Sequence, residues 1–331
     1  MKKIAVVILN WNGVDLLRQF LPSVLQYSEE ATIYVVDNAS IDDSISVLKN
    51  EFPDVQIVEN KGNYGFAKGY NEGLQNIKEA YLALVNSDIE VTENWLQPIT
   101  NLFEEEPETA IIQPKILDFK NKAYFEYAGA AGGFIDKFGY PFCRGRIFDC
   151  VEKDEGQYDS ERNIFWASGA CFFIRNKVYQ ELKGFDEDFF AHQEEIDLCW
   201  RAFNTGYIVK YTPQSVVYHV GGATLAATNP KKTYLNFRNS LFMLTKNLPQ
   251  NKLFSILFLR LVLDGIAGIQ FLCKGKLKHF VSILRAHFHF YSHLKHNYKK
   301  RKTKNKSDYY AISSIVIRFF IKKQHFFSKL F

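Results

Sequence analysis

Four short runs of apolar and β-branched residues near the start of the chain, Ile4 to Leu9, Thr32 to Val36, Gln56 to Glu59 and Tyr81 to Val85, constrain the fold more than any other feature. Between them lie stretches of helical period, such as Leu16, Leu17, Phe20, Leu21 and Val24. Strands that alternate with helices imply βαβ units around a buried parallel sheet, and the ligands of such sheets lie beyond the carboxyl ends of the strands. Those ends are polar here. The first strand runs into Asn10, Trp11 and Asn12, the second into Asp37, Asn38 and Ser40, the third into Asn60, Gly62, Asn63 and Gly65, and the fourth into Asn86, Ser87 and Asp88. Neither a Walker loop nor GxGxxG follows the first strand, which disfavours a P-loop NTPase or a dinucleotide oxidoreductase. The missing basic, glycine-rich first turn likewise argues against a nucleotidyltransferase.

A second stretch, His192 to Gly222, carries the remaining chemistry. Ile196, Cys199, Trp200 and Phe203 fall at i, i+3, i+4 and i+7, so one face of a helix points at a core. Glu194 and Glu195 then occupy its first turn, where the helix dipole favours carboxylates, and Asp197 with Arg201 makes an i, i+4 pair. Gly206 ends the helix. Tyr207 to Thr212 and Val216 to His219 read as two short β segments around Pro213, and Gly221 with Gly222 permits a sharp turn. A base and a metal ligand could therefore converge.

With 331 residues, 47% of them hydrophobic and 23% charged, the composition is that of a globular protein with one large domain and an appendage. Five cysteines without CxxC spacing argue against a disulfide framework and fit a reducing cytoplasm. The charged start and its apolar run of about seven residues are too short for a signal sequence. The net charge of +5 hides a separation: residues 231 to 331 hold 21 Lys and Arg against Asp264 and Asp308, a net +19, which leaves −14 on the rest. Such asymmetry points the basic part towards a polyanion, either nucleic acid or an anionic membrane surface.

The ordered set VVILNWNG, VVDNAS, NYGFAKGYNEG, LVNSDIEV, WASGACFFIR, GFDEDFFAHQEEIDLCWR and VVYHVGG resembles family 2 glycosyltransferases of the GT-A fold, over roughly residues 4 to 222. It looks most like bacterial rhamnosyltransferase-like members. The resemblance implies an α/β fold, a Rossmann-like mixed sheet with helices on both faces. It also implies inverting transfer of a sugar from a UDP- or dTDP-sugar, with Mn²⁺ or Mg²⁺ as cofactor. Asp88 matches the last aspartate of the family's DxD motif, whose first place is taken by Asn86, and His219 matches a histidine that completes the metal site in several relatives. Asp37 matches a residue that recognises a pyrimidine ring; without that match it reads as a turn with Ser40. Asn10, Asn12, Asn63, Lys68, Asn71, Asn86 and Ser87 complete the expected nucleotide-sugar side, the helix after Gly65 offering N–H groups to an anion.

In the family motif the base that deprotonates the acceptor hydroxyl is the Asp of Glu-Asp, a position filled here by Glu195 after Glu194. Asp197 and Arg201 brace the helix or meet the acceptor or the diphosphate. Trp166 and Gly169 are expected on the acceptor side, although an indole there is as readily a core residue. Residues Phe119 to Glu161 read as a mobile loop region over the acceptor cleft. No QxxRW motif follows the helix, which argues against a processive polysaccharide synthase.

From Tyr234 onward the pattern is helical and basic, giving an expected division into a GT-A domain at 1–228 and a membrane-associating extension at 229–331. Leu253 to Leu272 is apolar enough to raise the question of a transmembrane span, but Arg260 and Asp264 interrupt it and favour a helix lying at the interface. Ile312 to Phe331 reads as a surface-binding amphipathic helix, and Lys299 to Lys306 as a solvated linker or anionic-lipid patch. No nucleic-acid motif accompanies the charge. The sequence thus leads to a cytoplasmic enzyme attached peripherally to the inner face of the cell membrane, acting on a glycan acceptor carried by polyprenyl diphosphate in cell-surface polysaccharide synthesis. The alternative is a membrane-associated nucleotide- or sugar-binding protein with a degenerate site.

Overall fold

The computed structural model describes residues 2–221, 229–302 and 305–331. Gly222 and the expected domain boundary at Thr228 lie outside those residues. The four apolar runs are strands: β1 (Ile4–Asn10), α1 (Val14–Gln26), β2 (Ala31–Asp37), α2 (Ser44–Glu51), β3 (Gln56–Glu59), α3 (Gly65–Gly73) and β4 (Tyr81–Asn86) follow in turn. β1 pairs in parallel with β2 and β4, and β2 with β3. The next elements are β5 (Ile89–Val91), α4 (Gln97–Glu105), β6 (Thr109–Asp118), β7 (Gly133–Ile135), β8 (Pro141–Cys143), β9 (Arg146–Ile147) and β10 (Cys150–Val151). β11 (Arg162–Ile164), β12 (Cys171–Arg175), α5 (Asn176–Glu181), α6 (Glu194–Thr205) and β13 (Ile208–His219) complete the catalytic half.

The main sheet has the order β11-β13-β6-β12-β4-β1-β2-β3, with β5 added on β13. β12 runs antiparallel to both neighbours, so the sheet is mixed. Its two faces bury separate cores. Val6, Ile8 and Val35 meet Leu17 and Leu21 of α1 and Ile99 of α4 on one side; Val7 and Val36 belong with Tyr70 of α3 and Ile196, Cys199 and Trp200 of α6 on the other. Each such side chain contributes about 1.5–3 kcal/mol when fully buried, which fixes the register of α6 and hence the direction of its first turn.

Two expectations change. Pro213 does not divide β13, because a register shift between Thr212 and Val216 absorbs it and the strand continues to His219. The excursion from Phe119 to Glu161 is not an open loop: β7 to β10 form a four-stranded antiparallel sheet, and Ala131, Ile135, Phe142, Cys143 and Ile147 are buried in the core. Its aromatic and aliphatic residues find partners that local sequence does not reveal.

The extension consists of α7 (Pro230–Asn247), α8 (Gln250–Cys273) and α9 (Leu277–Lys299). By length and composition, α8 is the one helix among the described residues that could cross a membrane. The two charges that interrupt its apolar stretch, Arg260 and Asp264, nevertheless face the protein. Arg260, 4% exposed, donates to the carbonyls of Phe138 (3.0 Å) and Gly139 (3.2 Å) and to Ser240 Oγ, and its guanidinium lies 3.8 Å from the centre of the Tyr140 ring. Asp264, equally buried, accepts from His287 Nε2 at 3.2 Å. A spanning pose would strip Arg260 of these partners in hydrocarbon. The outward face of α8 carries Phe254, Phe258, Val262, Ile266 and Ile269, all exposed, and α9 adds Leu277, Val281, Leu284 and Phe288.

Beyond α9 the chain is no amphipathic helix. Only short turns form at Ile317–Ile321 and Phe327–Lys329, while Ile312, Ile315, Phe327 and Leu330 are buried against the small sheet. Nor is the basic run wholly solvated. Lys300 pairs with Asp186 and Asp188, and Arg301 donates to the carbonyls of Thr245 and Leu248; Thr303 and Lys304 lie outside the described residues.

Candidate active site

Antiparallel pairing of β5 with β13 sets Ile89 opposite His219, which brings Asp88, one residue earlier, against the imidazole at the end of the sheet. Asp88 Oδ1 is 3.1 Å from His219 Nε2, and both side chains are buried. On the other side of the ring Nδ1 stands 3.3 Å from Glu126 Oε1, a buried residue of the excursion that sequence reasoning missed. Gly221 has a φ of +69°, and a Cβ there would lie 2.9 Å from Glu126 Oε1, so the glycine lets the backbone close over this carboxylate. Burial pulls the His219 pKa down, but the hydrogen bonds and charges of Asp88 and Glu126 outweigh it and push it up to about 10. The ring is thus held between two buried carboxylates.

The same donors fit a divalent ion, which replaces the proton on Nε2 and shares Asp88. Glu126 then takes the place of the carboxylate that commonly fixes the tautomer of a metal-binding histidine. Among the described residues no group of three or more His, Cys, Asp or Glu is arranged to hold a metal. Asp88 and His219 alone would supply two ligands, so a metal held there would need further ligands from outside this pair.

α6 begins from a strained entry. Phe190, His192 and Gln193 all have positive φ (63°, 71° and 69°), a conformation that costs on the order of 1–3 kcal/mol for each non-glycine residue. α7 holds this loop in place. Asn239 Nδ2 donates to the carbonyls of Phe189 (3.1 Å), Ala191 (2.9 Å) and His192 (2.7 Å), and Arg238 donates to those of Asp188 and Phe189. Glu194 is buried, and Glu195 is partly buried with its carboxyl carbon beside Gly169, 3.7 Å from where a Cβ would sit. One oxygen of each glutamate is buried without a hydrogen-bond partner. Burial pushes Glu195 up to about 7 against the pull of the N–H groups of its own turn, and burial with the Glu195 charge drives Glu194 well above the usual carboxylate range. His192 is held down to about 4 by burial and Lys232.

Asp197, expected near the chemistry, is instead fully buried and engaged. It accepts from Arg201 Nε (2.8 Å), Lys246 Nζ (2.9 Å) and Asn247 Nδ2 (2.8 Å), and despite burial Lys246 and Arg201 hold its pKa low. The guanidinium of Arg201 also donates to the carbonyls of Leu182 and Gly184, so it braces the loop. Trp166 is a core residue, 3% exposed, with Nε1 donating to Phe134 O; its ring faces Gly133 and is closed to a sugar. Gly169 lies beside Glu195.

At the strand ends Asp37 is buried, its oxygens accepting from Ser40 N (2.8 Å), Ser40 Oγ (2.6 Å) and Asn10 Nδ2 (2.9 Å), so the turn with Ser40 is formed. Asn12 Oδ1 accepts from Ile41 N, and Asn63 Oδ1 from Gly65 N. Asn71 braces the protein: its amide meets Tyr179, Phe185 and Glu187, which leaves nothing for a nucleotide. The N–H groups of Phe66 and Ala67 are taken by the carbonyl of Phe190, so the start of α3 is not free for an anion. Lys68 lies 3.6 Å from Glu187 and over the Tyr64 ring. Asn86 and Ser87 remain half-exposed beside Asp88.

A mixed nine-stranded sheet with a carboxylate–histidine pair just beyond β4 is the architecture expected of a GT-A glycosyltransferase, and the matching solved structures have that fold. The family model described as Glycosyl transferase family 2 matches residues 5–183, and the chain belongs to that family. It resembles the N-acetylglucosaminyl-diphospho-decaprenol L-rhamnosyltransferase of Mycobacterium tuberculosis, 23% identical over 230 residues, 65% of this chain and 75% of that one. Among solved structures, GalNAc-T7 with UDP, GalNAc and Mn²⁺ superposes with a TM-score of 0.60 at 16% identity, over 76% of this chain and 49% of that chain. Residues 1–349 of S. aureus TarS with UDP-GlcNAc give 0.54 at 14%, over 86% and 79%. The chain thus spans about half of GalNAc-T7, and these structures bear on the fold.

Proposed function

We propose that the protein is an inverting, metal-dependent glycosyltransferase that moves a hexosyl or rhamnosyl unit from a UDP- or dTDP-sugar to a glycan carried on polyprenyl diphosphate. The observation that carries this reading is Glu195: a carboxylate at about pKa 7, with one oxygen lacking a protein partner, on a helix start beside Gly169. A base poised near neutral pH suits proton transfer from a hydroxyl. In the reaction Glu195 takes the proton of the acceptor hydroxyl as its oxygen bonds to the anomeric carbon; the bond to the diphosphate oxygen breaks with its electron pair on the diphosphate, and the configuration inverts. Asp88 and His219 hold the divalent ion, which when bound neutralises charge on the diphosphate. Asp37 has lone-pair capacity left for the N–H of a pyrimidine ring, and Asn10 Oδ1 lacks a partner.

The extension supports attachment to the inner face of the cell membrane. Uncharged outward positions on α8 and the adjoining α9 stripe would enter the acyl boundary, while basic residues such as Lys274, Lys276 and Lys278 at their junction meet anionic headgroups, each contributing roughly 1 kcal/mol. The test is incubation with a panel of nucleotide sugars, Mn²⁺ and lipid-linked acceptors, read by product mass. Transfer of one sugar with inversion is expected, and Asp88→Ala should weaken metal-dependent nucleotide binding. Nucleotide binding without transfer or hydrolysis across the panel would establish the degenerate binding protein instead.

A further inference from the structure

Between the first turns of α7 and the middle of α9 lies a cavity of about 610 Å³. Pro230, Lys231, Tyr234, Arg285, Phe288 and His289 line it, and no acidic residue does. Among the described residues Lys231 and Arg285 enter no ion pair, and the nearby Asp188 is already matched by Lys300 and His296. Arg238 donates to the Tyr234 hydroxyl (3.4 Å), whose own hydrogen is thereby directed to His289 Nδ1 at 2.5 Å. Burial and the neighbouring Arg238 hold His289 below its usual pKa. Phe288 at the rim is 73% exposed and stands in the apolar stripe of α9 with Val281 and Leu284. Cationic donors inside and hydrocarbon at the mouth fit a ligand with an anionic head and an apolar tail.

The cavity also touches the loop before α6. Lys231 Nζ lies 4.9 Å from the centre of the Phe190 ring, and Phe190 belongs to the strained loop that leads into Glu195. We propose that this cavity binds the diphosphate and first isoprene units of the lipid-linked acceptor: Lys231 and Arg285 meet the diphosphate, Phe288 meets the chain, and the attached sugar reaches towards Glu195. The inference rests on the lipid-linked acceptor proposed above and gives it a place.

Full-length protein and the double variant Lys231→Glu/Arg285→Glu would be compared in transfer to a polyprenyl-diphosphate-linked acceptor. They would also be compared in binding to phosphatidylcholine vesicles containing either polyprenyl diphosphate or phosphatidylglycerol. The variant should raise the acceptor KM at least tenfold and weaken binding to the polyprenyl diphosphate vesicles at least tenfold more than binding to the phosphatidylglycerol vesicles, with UDP affinity within twofold of wild type. Inorganic diphosphate should compete with the polyprenyl vesicles in the wild type; no competition would overturn recognition of the head. Equal loss on both vesicle types would reduce the cavity to general surface charge and overturn it. An unchanged KM in the variant beside an active wild type would overturn the cavity alone, whereas a wild type that glycosylates no lipid-linked acceptor would remove both readings. Because both side chains are exposed, an unchanged thermal unfolding midpoint checks that the variant is folded.

Discussion

The first turn of α6 and the loop before it carry two sets of acids in opposite states. Glu194 and Glu195 each leave a buried oxygen without a partner and have raised pKa values; Asp197, on the same helix, and Asp186, on the loop before it, are enclosed by Lys246, Lys300 and Arg201 and are held low. A carboxylate whose hydrogen bonds are all made is fixed in charge and direction, which suits it to hold a backbone. One left incomplete can still accept a proton or a ligand. Sequence proximity therefore separates these residues poorly, and saturation of their hydrogen bonds separates them well.

The largest effect that tests this contrast is on turnover. Glu195→Gln retains size and removes the base, so single-turnover transfer should fall by about 10²–10⁴-fold with UDP affinity unchanged. Near-normal transfer would move the base to Glu194. Asp197→Ala should act on stability instead: it leaves Lys246 buried beside an empty position, and urea unfolding should report a loss of about 3–5 kcal/mol. A loss below about 1 kcal/mol, the range of surface pairs, would break the comparison.

The two sets should also oppose each other in pH. A depressed aspartate contributes stability above its unfolded pKa that is lost as pH falls through its folded value. The raised Glu195 contributes stability present below its unfolded pKa and lost as pH climbs to about 7, while transfer rises over the upper part of that window as the base ionises. Unfolding curves at several pH values should show the Glu195 slope vanish in Glu195→Gln, and a slope that persists would assign it elsewhere. The smallest effect belongs to Glu126. Glu126→Gln removes the charge behind His219 and should weaken Mn²⁺ binding by about 10–100-fold, read by calorimetry with UDP present; wild-type affinity would make Glu126 a loop residue only.

Much of the fold is legible in the chain because its signals are local. The four apolar runs are strands, the stripe from Ile196 to Trp200 is buried, and Asp88 meets His219. What escaped notice depends on distant partners. Glu126 sits in a stretch with no strand-like alternation, and it reaches His219 because its segment pairs with the end of β6, Glu126 N donating to Ile116 O, beside the end of β13. Trp166, Asn71 and Asp197 match motif positions, yet Phe134, Tyr179 and Lys246 claim their polar atoms. Arg260 and Asp264 read as interruptions of an apolar helix, whereas they are its fasteners to the body.

Asn239 has a consequence for how such a protein can be recombined. Its one amide meets three carbonyls, those of Phe189, Ala191 and His192, in the chain that leads to the glutamates, although it lies in what reads from sequence as an accessory tail. A chimera that joins another relative's C-terminal part to this catalytic half at the expected boundary would inherit a loop without its matching helix. The unit of exchange is residues 186–193 together with α7, and grafts that carry both are the ones expected to remain active.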